Sequence, residues 1–200
     1  MTKFLPSVSF ALLGAALFSP ALFSPAAARA ADATTFWIES CTVMKAACEA
    51  GDADLARWAL ASWETAAAGR LHFVETKDRA KALIRVVWAD KDSGLYGEAV
   101  SISVNGRRGS ELHILLPEHN GKDALLRDTV VYLTCLHESG HALGLQHTRA
   151  FPDIMYSFQF GGDIDEYFGR YRRQLTTRED IRKYSGMSPA DRAALLERVP

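Results

Sequence analysis

The chain lacks an excess of charge of either sign. Its 200 residues include 23 Lys and Arg against 24 Asp and Glu, which gives a formal net charge of −1. Domains that bind nucleic acid usually carry a basic surface, so we expect no nucleic acid among the partners. Apolar residues are not scarce, because 48% of the chain is hydrophobic. This composition excludes disordered and fibrous classes and indicates one globular domain.

Long uninterrupted hydrophobic runs are also missing. Residues 1–30 carry Lys3, then an apolar run, then small residues, and this order predicts a secretory signal peptide cleaved after Ala30, or alternatively after Ala28. A membrane-spanning helix needs about 20 apolar residues. Three prolines interrupt the run well short of that length: Pro6, Pro20 and Pro25. We expect a secreted or periplasmic chain, 31–200, with no stable membrane anchor after signal removal.

Cysteine is rare, with three residues in the chain. Cys41 and Cys48 are close together and precede the first strong helical pattern, so we predict a disulfide between them, with free thiols as the alternative. Cys135 lies in an apolar run and is expected to pack as a small hydrophobic residue.

Hydrophobic periodicity predicts an α+β fold. Helical spacing predicts two main helices, at 53–68 and 126–144. β-branched and aromatic residues predict four strands, at 71–75, 82–88, 99–104 and 110–116, and the pair Asn105 and Gly106 turns between the last two. We expect a twisted, mostly antiparallel or mixed sheet backed by the helices. Residues 158–174 are predicted as loop, and capping signals at Thr177 and Ser188 predict short final helices.

The residues that carry chemistry are concentrated in 137–147, which reads HESGHALGLQH. His137 and His141 lie four positions apart, so a helix presents both imidazoles on one face. Gly144 can adopt a left-handed conformation that ends the helix and brings His147 back as a third ligand. Three neutral imidazoles leave one corner of a tetrahedron for water, as in catalytic zinc sites. We therefore predict one Zn²⁺ bound by the three histidines.

Glu138 follows the first predicted ligand directly. Its carboxylate can reach the attacking water without binding the metal, so we predict that Glu138 is the general base and later protonates the leaving amine. The histidines outside the motif are expected to be ordinary surface or core residues: His72, His113 and His119.

The motif resembles that of the matrixins, a group of metzincin zinc peptidases with the pattern HExxHxxGxxH followed by a Met-containing turn. The turn is present at 153–157, and Met155 falls eight residues after His147. The resemblance covers about 50–186 and implies a zincin-like catalytic domain with an active-site helix and a small irregular C-terminal subdomain. It implies a secreted zinc-dependent endopeptidase in which Met155 is an apolar floor under the metal.

The same resemblance carries expectations about the substrate. It implies that an extended protein or peptide pairs with the edge strand of the sheet, for which 110–116 is the candidate. It also places the start of the last helix at 177–181. Residues 158–174 exceed the corresponding stretch of typical matrixins, which walls the main specificity pocket, so the substrate preference does not transfer. We expect a monomer.

Two alternatives share the histidine motif. A catalytically inactive, secreted zinc-binding interaction module would not need Glu138, which favours the enzyme, and hydrolysis of a non-peptide amide would differ only in the pocket. Structural calcium is a further question, since an acidic group in 158–174 could bind Ca²⁺, although solvated side chains are the favoured interpretation: Asp163, Asp165 and Glu166.

Overall fold

The computed structural model describes residues 33–41, 47–89, 96–117 and 123–200, together with Met1. Apart from Met1, these residues belong to one unit of the chain, Ala31–Pro200. The predicted signal peptide and His119 fall outside the described residues. Within the described ranges, none of the helices combines the length and apolarity that a membrane crossing requires.

Five strands form one mixed sheet in the order β2-β1-β3-β5-β4. Their bounds are β1 Thr34–Ile38, β2 Phe73–Glu75, β3 Ile84–Ala89, β4 Gly97–Val104 and β5 Arg107–Leu115. β1 pairs in parallel with β2 and β3, and β3 pairs in parallel with β5. β4 is antiparallel to β5. The mixed alternative is therefore correct, and the mostly antiparallel one is wrong.

β1 was not predicted from the sequence, and it forms two of the parallel pairs of the sheet. Phe36 and Ile38 are buried and alternate with less buried neighbours. In the sequence of β1 the apolar Trp37 stands between Phe36 and Ile38, so the alternation of apolar and polar residues that marks a half-buried strand is absent. The chain runs from β1 through the first helix to β2, which pairs with β1 in parallel. Two parallel strands need a long crossover connection of this kind, usually a helix.

The prediction that 110–116 is the edge strand is wrong. β5 lies inside the sheet between β3 and β4; β4 forms the edge on that side, and β2 forms the opposite edge. The turn at Asn105 and Gly106 forms as expected and joins two antiparallel strands. A hairpin can dock with either strand against its neighbour. Here β5 pairs with β3, which leaves its side chains from Ser110 onward alternating between buried and half-buried, whereas most of those of β4 are less buried.

Two long helices, α1 Asp52–Ala66 and α2 Ala124–Ala142, confirm the predictions to within two residues at each end. They pack against each other, and α2 also packs on β4 and β5. The buried indole of Trp63 fixes the crossing, since its Nε1 donates to Leu136 O at 2.9 Å and to Ser139 Oγ at 3.0 Å.

The loop predicted at 158–174 contains a helix, α3 Ile164–Arg172, after a short 3₁₀ helix at Phe158–Phe160. Asp163 caps α3 by accepting a hydrogen bond from Glu166 N at 3.0 Å. Charged residues and two glycines conceal the helical pattern in the sequence. Three aromatic side chains nevertheless share its buried face, which packs on α2: Tyr167, Phe168 and Tyr171.

The last helix begins later than the resemblance implied. Residues 177–181 open a five-residue 3₁₀ helix, Arg178–Arg182, whereas the final α-helix is α4 Pro189–Arg198. The capping signals at Thr177 and Ser188 are both formed as predicted.

The cysteine predictions are confirmed. Cys41 and Cys48 form a disulfide. Cys135 is a free, buried thiol, and its burial raises the pKa well above its ordinary value.

Candidate active site

The structure brings the three predicted ligand histidines together. Nε2 of His147 lies 3.2 Å from Nε2 of His137 and 3.0 Å from Nε2 of His141. One nitrogen from each ring can be chosen so that all three lie within 4.8 Å of one another.

Gly144 makes this convergence sterically accessible. α2 ends at Ala142, and Gly144 adopts a φ of 87°, a conformation that favours glycine. Gly144 N donates to His141 O at 2.9 Å, and Leu145 N donates to Gly140 O at 3.0 Å. The helix therefore closes with a left-handed residue, and the chain turns back toward its own last turn to deliver His147.

Backbone carbonyls orient the two helical imidazoles. His137 Nδ1 lies 2.7 Å from Ile154 O, and His141 Nδ1 lies 3.0 Å from Leu145 O. Because a carbonyl only accepts, both Nδ1 atoms carry a hydrogen, and the lone pair of a neutral ring is then on Nε2. Burial lowers the pKa of His137 to about 4, and burial also lowers the pKa of His147. These two rings are neutral at pH 7, as metal ligation requires.

This donor set fits a zinc ion. The lone pairs of facing Nε2 atoms repel one another. A proton on Nε2 of His147 could form a hydrogen bond with only one of the other two rings, so it would not hold all three together. A tetrahedral zinc ion with Zn–N bonds of about 2.0–2.1 Å separates its ligand atoms by roughly 3.4 Å. The observed spacings of 3.0 and 3.2 Å are close to that separation.

Glu138 lies between α2 and the edge strand. It is 6% exposed, and burial, with a contribution from the charge of Glu98, raises the pKa of its carboxyl to about 7. Within the described ranges, no protein group donates a hydrogen bond to this carboxylate. A Cβ on Gly97 of β4 would lie 2.7 Å from Glu138 Cγ and 2.8 Å from its Oε1. The missing side chain at Gly97 therefore makes room for the carboxylate.

Met155 is buried, and its side chain packs against the turn of α2 that lies between His137 and His141. A Cβ on Gly140 would overlap the Met155 sulfur and lie 3.1 Å from the Trp63 ring. Gly140 could not be identified from the sequence, because the atoms that exclude a side chain there come from distant parts of the chain. The role of Met155 as a floor under a metal stays a prediction.

Two residues that the sequence analysis missed support the turn at Met155. Asp191 of α4 accepts hydrogen bonds from Ile154 N at 2.8 Å and Met155 N at 3.3 Å. The Tyr167 hydroxyl of α3 donates between Asp153 O at 3.1 Å and Ile154 O at 3.2 Å, and Ile154 O is the carbonyl that orients His137. Asp191 was visible in the sequence only as a helix cap, and nothing in the sequence marked Tyr167.

The remaining candidates lie apart from this cluster. His72 pairs with Glu64 at 2.6 Å, and His113 lies 3.4 Å from Glu111. In the acidic group proposed for calcium, Glu166 pairs with Arg173 at 2.6 Å. Calcium binding stays a prediction.

Comparison with protein families supplies the classification. A family model described as Matrixin matches residues 32–165. The chain belongs to the matrixin family. The matched 134 of the 200 residues include the whole sheet, α2, the three histidines and Met155, which supports zinc at this site and a metallopeptidase class of chemistry. The match ends in the first turn of α3, so most of α3 and all of α4 lie beyond it. A comparison with curated proteins gave no match.

Proposed function

We propose that this matrixin is a zinc-dependent endopeptidase with Glu138 as its general base, exported to a secreted or periplasmic location by the segment 1–30. One observation carries the proposal. Three imidazole nitrogens converge within 4.8 Å of one another. Glu138, which follows the first of these histidines on α2, is buried, and no protein group donates a hydrogen bond to its carboxylate within the described ranges.

The three histidines and Glu138 have different roles in the proposed peptide hydrolysis. His137, His141 and His147 would hold the ion through Nε2, and a bound zinc would polarise the scissile carbonyl and lower the pKa of a water ligand to about 7. Glu138 accepts a proton from the attacking water as its oxygen bonds to the carbonyl carbon. Glu138 then delivers that proton to the leaving amine as the C–N bond breaks.

The edge strand supplies a binding surface for an extended substrate. β4 pairs with β5 on one side and is terminal in the sheet, so its other edge can accept a peptide as an additional strand. Because Gly97 lies against Glu138, a peptide paired there would place its backbone close to the base. We propose that the substrate is a protein or peptide bound to β4 by a monomer.

The test combines metal analysis with cleavage of a peptide library by the zinc-loaded protein. We expect one zinc per chain and cleavage that falls by 10²-fold or more, on the order of a lost general base, in Glu138→Ala with zinc retained. Glu179→Ala removes an exposed acid elsewhere and should leave cleavage unchanged. Zinc binding without any cleavage by the wild-type protein would instead identify an inactive zinc-binding module. Undiminished cleavage by Glu138→Ala would exclude Glu138 as the base.

A further inference from the structure

A cavity of about 350 Å³ lies between α1 and the part of the chain that leads into α4. This volume is within the range of small-molecule sites, about 300–1,000 Å³. α1 contributes Trp58, Ser62 and Thr65 to its lining, and residues 182–192 contribute the charged side chains. The cavity shares no residue with the candidate active site.

The charge of the lining is positive. None of the described residues that line the cavity is acidic, and three are cations: Arg182, Lys183 and Arg192. Lys183 pairs with Asp180 at 2.7 Å, but neither arginine pairs with a carboxylate within the described ranges. Asp191, the neighbour of Arg192 in the sequence, instead accepts backbone amides of the turn at Met155. Two positive charges at the cavity are therefore left without a counterion from the protein.

The two unpaired arginines are oriented by neighbouring side chains. The guanidinium carbon of Arg182 lies 5.9 Å from the ring centroid of Trp58, within the range of a cation–π contact. Arg192 Nη2 donates to Ser185 Oγ at 3.2 Å. A guanidinium carries five N–H donors, so each arginine keeps donors for a ligand in the cavity.

The hydroxyls of α1 offer acceptors rather than donors. The hydroxyl of Tyr132 donates to Ser185 O at 3.0 Å, so the 2.9 Å contact between Ser62 Oγ and this hydroxyl uses the hydrogen of Ser62. Thr65 Oγ1 donates to Ala61 O at 2.9 Å. Both hydroxyl hydrogens of the α1 lining are therefore used, and the lone pairs of Ser62 and Thr65 remain for a donor on a ligand.

We infer that this cavity binds a small organic molecule that carries a carboxylate or phosphate group together with hydroxyl groups, such as an acidic sugar. Arg182 and Arg192 match the oxygens of either anionic group. Hydroxyls of the ligand donate to Ser62 and Thr65, and the indole of Trp58 gives its carbon skeleton an apolar surface. An inorganic anion would use only the first of these contacts.

The first test is calorimetric titration of the leader-free protein, with and without added zinc, at physiological ionic strength. The probes are glucose 6-phosphate, glucuronate, glucose and inorganic phosphate. We expect at least one of the two charged sugars to bind with a Kd of about 1 mM or tighter, whether or not zinc is present. Glucose and inorganic phosphate should each bind at least about tenfold more weakly. The charged sugar that binds more tightly distinguishes phosphate from carboxylate recognition.

Failure of both charged sugars to bind would overturn the inference, as would equally tight binding of glucose or of inorganic phosphate. Because the cavity shares no residue with the histidine cluster, these outcomes do not depend on whether the protein binds zinc or cleaves peptides.

Substitutions then place the binding in the cavity. Arg182→Ala and Arg192→Ala should each weaken binding of the charged sugar about tenfold, and Ser62→Ala, which removes only an acceptor, about threefold. Arg198→Ala removes another exposed arginine of α4 that does not line the cavity and should bind like the wild-type protein. Thermal unfolding checks that each variant is folded. Undiminished binding by both Arg182→Ala and Arg192→Ala, or equal weakening in Arg198→Ala, would overturn the assignment to this cavity.

Discussion

At the scale of single residues, Glu138 couples the proposed chemistry to stability. The pKa of its carboxyl is about 7 in the folded chain, against an ordinary value of 4.5. Between these values the folded protein keeps the proton that the unfolded chain loses. The contribution of Glu138 to the free energy of unfolding therefore falls as pH rises from 4.5 to 7, by up to about 3 kcal/mol.

Glu138→Gln should reveal this cost in the zinc-free protein. Because glutamine does not ionise, we expect little difference from the wild-type protein at pH 4 and a growing stabilisation of the variant up to about pH 7.5. Urea unfolding at a series of pH values measures the difference in unfolding free energy. A difference that stays constant with pH would show that the carboxyl has an ordinary pKa.

Gly97 is the second residue with a measurable role. In Gly97→Ala the new Cβ would lie 2.7 Å from both Glu138 Cγ and Thr134 Cγ2, so the carboxylate must shift. We expect peptide cleavage to fall about ten- to hundredfold with zinc binding retained, because small displacements of catalytic groups are costly. Ser101→Ala, an exposed change on the same strand, should be neutral. Full activity in Gly97→Ala would contradict the placement of Glu138 against β4.

The histidines could be predicted as neighbours from sequence because their relation is local. Helix geometry places His137 and His141 together, and one glycine permits the return of His147. Gly97 and Gly140 could not be predicted. What excludes a side chain at each of them is a residue at least 15 positions away along the chain, Glu138 or Met155.

At the scale of elements, α4 supports the site from beyond the family match. Its Asp191 is 2% exposed and accepts the amides of Ile154 and Met155, while Ile154 O orients His137. Asp191→Ala leaves two buried amides without their acceptor, so we expect loss of about 1–3 kcal/mol of stability and about tenfold weaker zinc binding.

Thermal unfolding and zinc titration measure the two effects of Asp191→Ala. Glu197→Ala removes an exposed acid from the same helix and should leave both quantities unchanged. If the Asp191→Ala protein is folded and destabilised but binds zinc with wild-type affinity, α4 has only a structural role.

The elements of the fold differ in how well sequence patterns predict them. α1 and α2 carry enough turns for their periodicity to be read, so both were located. β1 lacks the alternation of apolar and polar residues that marks a strand, and α3 has three buried aromatics among charged residues and follows two glycines. The edge strand was misassigned because strand order depends on which side of the hairpin packs better, a tertiary property that alternation along one strand does not encode.

At the scale of the whole molecule, the disulfide stabilises the end of α2 remote from the histidines. Cys41 and Cys48 close a loop of seven positions, and Arg127 donates to Ala47 O at 2.7 Å and pairs with buried Asp52. Replacing both cysteines by serine should lower the unfolding free energy by about 2 kcal/mol. Because Arg127 precedes His137 by ten residues, we expect zinc affinity to be unchanged. Denaturant unfolding and zinc titration of the double variant check the prediction, and weakened zinc binding would contradict it.

The α+β class and the family were predictable because they rest on features that a single sequence displays, the element order and the spacing within 137–147. In the C-terminal part only the caps at Thr177 and Ser188 were predictable, because the course of the chain there is determined by contacts of Tyr167 and Asp191 with the turn at Met155.

Zinc titration of the leader-free protein at pH 7 tests the central claim most directly. The account predicts one tightly bound ion per chain, and binding weakened by about a hundredfold or more in His147→Ala. His72→Ala, which removes an exposed histidine outside the cluster, should bind zinc like the wild-type protein. A folded wild-type protein that takes up no zinc, or a His147→Ala protein with unchanged affinity, would contradict the account.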